Sequence, residues 1–361
     1  MEGLVDINSL KSFYAGKKVF LTGHTGFKGT WMTLLLKKLG ALIKGYALEP
    51  EESKQFYDLF LPGKHIESII GDIRDKVKMT NEILSFQPDL VFHFAAQPLV
   101  LRSYEIPAET FEVNVVGTAN LLEAIKHLEK RAAVVVITTD KVYENNGEKV
   151  MFKESDRLGG YDPYSASKAC TELVVDSFRK SFFNPERVTQ HRKSISSARA
   201  GNVIGGGDWS KNRIIPDIAK ALMKGDPVTV RQPEAIRPWQ HVLEPLYGYL
   251  LLGAASYGNQ KQFSQPYNFG PKPEDHLTVR ELVEIAIDNW GSGSSVTSGS
   301  GEKPHEAKLL HLDISKAMAE LNWNPKLNAR ESIDWSISWY KTISSRQAEF
   351  TFEQIDKYLN R

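Results

Sequence analysis

The chain has 361 residues, of which 41% are hydrophobic and 25% are charged, a composition that is typical of globular proteins and excludes collagen-like, fibrous and disordered classes. Its 45 lysines and arginines balance 44 aspartates and glutamates, so no strong net charge attracts nucleic acid or an anionic membrane. One cysteine excludes an internal disulfide and favours a reducing, cytoplasmic location. No apolar run reaches the about 18–20 residues of a membrane span, so none is predicted. The N-terminus has no apolar core, so no secretory signal is predicted.

The first half of the chain alternates short apolar strands with helices. The predicted strands are Lys18–Leu21, Leu42–Ala47, Ile66–Ile70, Leu90–Phe94 and Val134–Thr138. The predicted helices between them include Thr30–Leu39, Val77–Phe86 and Val113–Leu128. Continuous apolar strands separated by helices are typical of a parallel sheet covered on both faces. The predicted fold class is therefore α/β, with a Rossmann-type doubly wound parallel sheet.

After about Gly201 the sequence becomes richer in glycine, proline and aromatic residues, as in GNVIGGGDW and RQPEAIRPWQHV. The elements predicted here are a helix at His241–Tyr257, a strand at Pro266–Gly270 and a flexible loop at Gly291–Gly301. We expect two domains. A Rossmann domain is predicted from 14–200 plus about 241–270, and a smaller mixed α/β domain, placed over the strand ends, from about 201–240 plus 271–345.

The segment GHTGFKG follows the first predicted strand and spaces Gly23, Gly26 and Gly29 three residues apart. In a dinucleotide-binding loop, the first glycine permits a tight turn and the second lets the backbone approach a pyrophosphate at the helix N-terminus. The third lets the helix pack closely on the sheet. A glycine turn without a ligand is the alternative, but the position between a strand and a helix favours dinucleotide binding.

The end of the second strand favours NAD without excluding NADP. Ala47 stands where an acidic residue usually bonds the ribose, Glu49 comes two residues later, and no arginine is present for a 2′-phosphate. After the third strand, Asp72 either lies beside an adenine ring or caps the next helix.

Two further motifs carry candidate catalytic groups. Tyr164 and Lys168 in YSASK share one helix face, and a nearby ammonium lowers the pKa of a tyrosine toward that of a useful base. The segment TTDKVY, from Thr138 to Tyr143, ends a predicted strand at the edge where parallel sheets meet their ligands. For TTDKVY, the alternative is a turn of ordinary polar residues.

Together with FAAQ at Phe94–Gln97, these motifs resemble the extended short-chain dehydrogenase/reductase family. Within it, the chain is similar to the nucleotide-sugar 4,6-dehydratases, and above all to the branch that acts on CDP-D-glucose. The stretches that carry this likeness run from about residue 17 to 340 and are GHTGFKGTW, KGYALEP, AAQPLV, TTDKVYEN, LGGYDPYSASKAC, ARAGNVIGGGDW, IRPWQHVLEPLYGYL and PHEA.

The resemblance implies NAD as the cofactor and a role for each matching residue. Tyr164 would take the proton of the sugar 4-hydroxyl as hydride leaves C4, Lys168 would hold the nicotinamide ribose, and Thr139 would hydrogen-bond the same hydroxyl. Asp140 would protonate the departing 6-hydroxyl before hydride returns to C6. The product would be CDP-4-keto-6-deoxy-D-glucose, for the deoxysugars of surface polysaccharides such as O-antigen. The implied cofactor contacts are Gly23, Thr25, Gly26, Phe27, Gly29, Asp72, Ile73, Phe94, Ala95, Ala96, Thr138, Tyr164 and Lys168.

Lys141 stands where the wider dehydratase pattern has a glutamate as the C5 base, and the CDP-glucose branch is similar in carrying lysine here. Only a neutral lysine accepts a proton, so we expect burial and the charge of Lys168 to lower the pKa of Lys141. The alternative is that Lys141 only neutralises Asp140 or the enolate, with water as the base.

The resemblance also implies substrate contacts. Asn202, Arg237 and Asn268 match positions that hold the substrate diphosphate, while Gln97 and Arg102 are either sugar or cofactor contacts or ordinary polar groups. No metal is expected, because no ligand-spaced cluster accompanies His24 or His305, and Cys170 is expected to pack on its helix. Related enzymes form homodimers, here through the helices at Val113–Leu128 and Tyr164–Phe178.

Three functions are compatible with these residues. The first is a 4,6-dehydratase acting on CDP-D-glucose, and the second is a 4,6-dehydratase or 4-epimerase acting on another nucleotide-sugar. The third is a non-catalytic dinucleotide-binding regulator. An epimerase needs only the redox step, so Asp140 and Lys141 disfavour it, and the retained Tyr164–Lys168 pair disfavours a regulator. No residue pattern specifies the nucleotide base.

Overall fold

A computed structural model describes residues 7–60, 66–147, 151–297 and 310–361. The PHEA motif and the end of the predicted 291–301 loop lie outside these ranges. In chain order the helices are α1 (Ile7–Tyr14), α2 (Phe27–Lys38), α3 (Lys54–Asp58), α4 (Lys76–Phe86), α5 (Val100–Glu105), α6 (Pro107–Phe111), α7 (Gly117–Lys126), α8 (Pro163–Ser181), α9 (Val188–His191), α10 (Ile214–Lys224), α11 (Leu243–Gly258), α12 (Gln260–Phe263), α13 (Val279–Trp290), α14 (Ser315–Leu321), α15 (Ala329–Lys341) and α16 (Gln347–Leu359). A π-helical turn spans Glu112–Val116, and 3₁₀ helices span Asp140–Val142, Pro185–Arg187 and Ser344–Arg346.

The strands build one large sheet and several small ones. They are β1 (Lys18–Thr22), β2 (Leu42–Ala47), β3 (Glu67–Ile70), β4 (Leu90–His93), β5 (Ala132–Ile137), β6 (Met151–Phe152), β7 (Lys193–Ala200), β8 (Val203–Ile204), β9 (Val228–Val230), β10 (Ile236–Arg237), β11 (Gln240–His241), β12 (Pro266–Phe269), β13 (Leu277–Thr278), β14 (Ser295–Thr297) and β15 (His311–Leu312).

Within the described ranges, the large sheet has seven parallel strands in the order β12-β7-β5-β4-β1-β2-β3. The chain order reverses between β1 and β4, and ligands of such sheets bind in the crevice beyond the carboxyl ends at this point. The predicted α/β, Rossmann-type parallel sheet is confirmed.

Successive side chains of the sheet enter two separate cores. Val135 and Ile137 of β5 pack on the side of α2 and α11, whereas Val134 and Val136 pack with α4, α7 and α8. This alternation follows from the two-residue period of a strand. It fixes which helices flank the crevice on each face of the sheet.

Two helix starts differ from the prediction by three residues or more. The helix α2 begins at Phe27 rather than Thr30, because the carbonyl of Gly26 already accepts the amide of Thr30. The helix predicted from Val113 begins as the π-helical turn, in which the Asn114 carbonyl accepts the hydroxyls of Thr118 and Thr171.

The prediction also missed β7, a fully buried strand with the sequence KSISSARA. Its serines are satisfied inside the fold, since Ser194 bonds Ser264, Ser196 bonds Ser256, and Ser197 donates to Glu172. No continuous apolar run therefore signals the strand. The division into two domains remains a prediction, and none of the helices in the described ranges has the length and apolar character needed to cross a membrane.

Candidate active site

The glycine loop joins β1 to α2 at the reversal point of the sheet. Gly23 has φ +74°, and a Cβ there would lie 2.7 Å from the amide nitrogen of Ala95 after β4. A Cβ at Gly29 would lie 2.0 Å from the carbonyl oxygen of Gly23, so Gly29 lets the helix approach the loop itself. Gly26 is the N-cap of α2 and has no side chain to cap it. The first turn of α2 can therefore receive an anion, as a pyrophosphate site requires.

The other predicted cofactor residues after β1 and β4 surround this loop. The Thr25 hydroxyl donates to the carbonyl of Leu48 at 2.9 Å, which ties the loop to the end of β2. The amide of Ala95 donates to the Thr22 hydroxyl at 3.2 Å, which ties β4 to β1. Phe94 and Ala96 flank Ala95, and Phe27 is buried in the first turn of α2.

The residues after β3 divide between the edge of the crevice and the core. The carboxylate of Asp72 accepts three bonds from Arg74, at 2.6 to 2.9 Å. Asp75, and not Asp72, caps α4 by accepting the amide of Lys78, so the capping interpretation of Asp72 is wrong. Ile73 is buried against the start of α7, where a Cβ at Gly117 would contact its side chain.

The acidic group of the site lies directly after β5. The Thr139 hydroxyl donates to Asp140 Oδ1 at 2.8 Å, and Asn202 Nδ2 donates to Asp140 Oδ2 at 3.3 Å. Gly201 lies so close that a Cβ there would be 2.1 Å from the Asp140 carboxylate. The end of β5 and the end of β7 thus hold one buried carboxyl group from both sides.

Tyr164 and Lys168 lie on α8, which begins at Pro163 and is capped by Asp162. Burial raises the pKa of Tyr164 to about 12, although its hydrogen bond with Thr139 and the charge of Arg213 act in the opposite direction. Lys168 Nζ donates to the carbonyl of Ile137 at 3.1 Å. The predicted lowering of the Tyr164 pKa by Lys168 is therefore not present in this structure, because burial outweighs the neighbouring charges.

Lys141 does not have the burial that was expected of it. Its side chain is 33% exposed, and Nζ lies 3.9 Å from Asp140 Oδ1. The expected burial of Lys141 is only partial in the structure, because the 3₁₀ turn leaves the lysine part-exposed while Asp140 is buried. The ion pair with Asp140 matches the alternative in which Lys141 neutralises the acid.

Two predicted substrate residues are used inside the fold. Asn268 is fully buried, where Oδ1 accepts the Tyr143 hydroxyl and Nδ2 donates to the carbonyls of Phe152 and Asp313. Gln97 bonds Thr110 and both backbone groups of Leu99 through its side chain. The structure does not bring either side chain to the site, because all their polar atoms already have internal partners.

The remaining predicted substrate residues lie nearer the solvent. Arg102 is exposed on α5 and pairs with Glu51 at 3.5 Å. Arg237 lies in β10, where Nη1 donates to the carbonyl of Ile236 at 3.0 Å. Of the predicted substrate contacts, Asn202 is the residue that directly touches a predicted catalytic group.

Sequence reasoning missed two cations and one acid at the same place. Burial, with the charges of Arg213 and Lys168, lowers the pKa of Lys28 to about 7. Arg213 lies at the start of α10, pairs with the buried Asp208 at 2.8 Å and acts electrostatically on Tyr164. The sequence did contain a signal for a cation near the dinucleotide loop, because Lys28 stands inside the glycine motif. No motif or spacing indicates Arg213 or Asp208.

Comparison with known proteins places the chain in a family. The family model described as GDP-mannose 4,6 dehydratase matches residues 20–335. A curated CDP-glucose 4,6-dehydratase from Salmonella typhimurium is 47% identical over 92% of this chain and 92% of its own. A dTDP-glucose 4,6-dehydratase from Xanthomonas campestris is 27% identical over 75% of this chain and 78% of its own.

Solved structures share the fold. A dTDP-glucose 4,6-dehydratase from Streptomyces venezuelae, solved with NAD bound, has a TM-score of 0.77 at 23% identity and covers 92% of this chain and 99% of that chain. The resemblance predicted from the motifs is confirmed: the chain belongs to the family that the GDP-mannose 4,6 dehydratase model describes.

Proposed function

We propose that the protein is a CDP-D-glucose 4,6-dehydratase, a hydro-lyase that uses NAD as a bound cofactor. The observation that carries this proposal is the place of Thr139, whose hydroxyl donates to Asp140 at 2.8 Å and whose side chain acts to lower the pKa of Tyr164. A base for C4 oxidation and an acid for loss of the 6-hydroxyl therefore meet at one residue. The identity of 47% to a curated CDP-glucose 4,6-dehydratase supports the choice of CDP-D-glucose over other nucleotide-sugars.

The residues of the crevice fit a dinucleotide. The loop at Gly23 and Gly26 leaves space over the first turn of α2. A Cβ built at Gly26 would have one atom within 4 Å, the Gly23 carbonyl oxygen at 3.4 Å. Solved relatives of this fold are described with NAD, which supports NAD over NADP. When bound, NAD supplies a hydride acceptor for C4 and a hydride donor for C6.

The chain's own residues then move the protons. Tyr164 removes the proton of the 4-hydroxyl, and Thr139 orients that hydroxyl and the tyrosine together. Because burial raises the pKa of Tyr164 to about 12, its ionisation depends on positive charge nearby, which Arg213 supplies. Asp140, held by Thr139 and Asn202, protonates the leaving 6-hydroxyl.

The proton of C5 leaves after C4 is oxidised, since the 4-keto group makes it acidic. We propose Lys141, one residue after the acid, as the group that acts on this proton. Its Nζ lies 3.9 Å from Asp140 Oδ1, and its side chain is part-exposed to solvent. Lys141 serves either as the base itself or as a positive charge that stabilises the enolate while water is the base.

A substrate panel tests the function. Purified protein with NAD is incubated with CDP-, dTDP-, UDP- and GDP-glucose, and the 4-keto product is read from its absorbance in alkali. We expect product from CDP-glucose, and no product from a Tyr164→Phe control. With deuterium at C4 of the substrate, we expect deuterium at C6 of the product. Formation of a 4-epimer without loss of water, or no reaction with CDP-glucose, would contradict the proposal.

We also propose a cytoplasmic homodimer. The π-helical turn and α8 carry large exposed apolar side chains, with Val116 at 50% and Leu173 at 58% exposure. Light scattering at micromolar concentration should give twice the monomer mass. Leu173→Lys should shift the protein toward monomer, whereas Leu42→Lys, at a similarly exposed leucine of β2, should leave the dimer intact.

A further inference from the structure

A buried carboxylate lies one helical turn beyond the proposed catalytic lysine. Glu172 follows Lys168 by four residues on α8 and accepts four hydrogen bonds. Its Oε1 accepts the Thr138 hydroxyl at 2.6 Å and Arg199 Nε at 2.9 Å. Its Oε2 accepts the Ser197 hydroxyl at 2.7 Å and Arg199 Nη2 at 3.0 Å. Burial raises the pKa of Glu172, but Arg199 and these donors outweigh it, so the net pKa lies below the ordinary value and the group stays ionised.

The Glu172–Arg199 pair is connected to both ends of the segment that carries the acid. Thr138, which donates to Glu172, directly precedes Thr139 and Asp140. Arg199 Nη1 donates at 2.8 Å to the hydroxyl of Tyr143, the residue that directly follows the 3₁₀ turn Asp140–Val142. The turn is thus tied to one ion pair before it begins and after it ends.

The same carboxylate acts on Lys168. Burial lowers the pKa of Lys168 to about 8, and the charge of Glu172 opposes this lowering. Glu172 is the charged group that opposes the lowering of the Lys168 pKa, while Asp140 acts on the neighbouring Lys28 and Tyr164. Tyr164 has a pKa of about 12 and Lys28 a pKa of about 7, so neither adds negative charge near neutral pH. Burial, together with Lys168, lowers the pKa of His93 on β4 to about 3 and leaves it neutral.

We propose that Glu172 is a positioning residue for the reaction, which keeps the ammonium of Lys168 charged and holds the Asp140–Val142 turn in place through Thr138 and Arg199. A buried ion pair is weak as a stabiliser compared with apolar side chains of the same volume, so stability alone does not explain its presence. This inference rests on the proposed roles of Tyr164, Lys168 and Asp140.

The test is the pH profile of C4 oxidation, followed as bound NADH in a single turnover with NAD and CDP-glucose. The active form of Lys168 is the ammonium, which is present below its pKa of about 8 and lost above it. Removing the charge of Glu172 lowers that pKa, so the alkaline limb of the profile moves to lower pH. Glu172→Gln with Arg199→Met removes both charges without leaving one unpaired, and should move the limb to lower pH.

Two variants keep the charge and separate the roles. Glu172→Asp should slow the reaction, because the shorter side chain loses contact with Thr138, but leave the alkaline limb in place. Asp176→Asn, one turn further along α8 at a 41% exposed carboxylate, should change neither quantity. A folded double variant whose alkaline limb is unmoved would overturn the charging role.

If the double variant does not fold, Thr138→Val carries the test, because it removes one donor and leaves the ion pair intact. We expect loss of the 6-hydroxyl to slow about tenfold or more, because the turn that carries Asp140 is misplaced; an unchanged rate of this step would overturn the proposal. Failure of the proposed function would be seen separately, since unmodified protein and Asp176→Asn would then form neither bound NADH nor keto-sugar.

Discussion

Replacement of Gly201 by alanine displaces the proposed acid without touching the proposed base. A Cβ at this position would lie 2.1 Å from the Asp140 carboxylate, while ordinary contacts begin at 3.4 Å. The backbone of Gly201 is not in the left-handed region, so alanine is compatible with its conformation. The carboxylate must therefore move by about 1 Å, away from Asn202 and from the position set by Thr139.

The size of the effect follows from that displacement. A misplacement of about 1 Å in a reacting group can slow a step by ~10²-fold, and general acid catalysis is worth about 10²–10⁴-fold in total. Loss of the 6-hydroxyl should therefore slow by at least ~10²-fold in Gly201→Ala. Tyr164 and Lys168 lie on α8, so C4 oxidation should continue and bound NADH should accumulate.

The assay is stopped-flow absorbance of bound NADH, run beside a keto-sugar assay on the same samples. Gly258→Ala is the matched control, because no atom lies within 4 Å of a Cβ there. Normal turnover by Gly201→Ala, or loss of NADH formation together with product, would refute the placement of Asp140 as an acid that acts after oxidation.

Three further predictions concern single side chains. Tyr164→Phe should form no bound NADH with CDP-glucose, since the base for the first step is gone; a normal NADH transient would show that another group serves. Lys141→Met should bind NAD and oxidise C4 but lose exchange of the C5 proton with solvent deuterium, read by NMR, and Lys141→Glu should recover part of the activity; normal exchange in Lys141→Met would leave Lys141 an electrostatic role. The pKa of Lys28 is lowered to about 7, so its charge is present below pH 7 and lost above it. The affinity for NAD, measured by calorimetry, should therefore fall as the pH rises through 7. Lys28→Met should bind NAD more weakly, with an affinity independent of pH in this range.

The large sheet was predictable where its strands are apolar throughout. The run Val134–Thr138 predicted β5, because the strand Ala132–Ile137 carries buried aliphatic side chains on both of its faces. The strand β7 is equally buried and was not found, since its serines and Arg199 have hydrogen-bond partners on α8, α11, α12 and the segment after α12. Burial of polar groups depends on partners about 25–70 residues away in the chain, which a local pattern does not reveal.

The candidate site was predictable as a set of motifs but not as an electrostatic environment. Spacing placed Tyr164 and Lys168 on one helix face, as the structure has them. Spacing does not report burial, and burial decides that the pKa of Tyr164 is raised. For the same reason Asn268, chosen from its match to a phosphate contact, is an internal tie between Tyr143 and the carbonyl of Phe152.

In the proposed mechanism, the arrangement at the end of β5 distinguishes a dehydratase from an enzyme that only transfers hydride. Hydride transfer at C4 requires the base on α8, and loss of water requires a separate acid within reach of C6. Asp140 is placed on a different element from Tyr164 and is fixed by Asn202 and by the missing side chain at Gly201. The Thr139 hydroxyl donates to Asp140 at 2.8 Å and its side chain acts to lower the pKa of Tyr164, so a shift of Thr139 acts on both groups. We therefore expect substitutions remote from Thr139 to disable the proposed acid and the proposed base one at a time, and a change at Thr139 to affect them together.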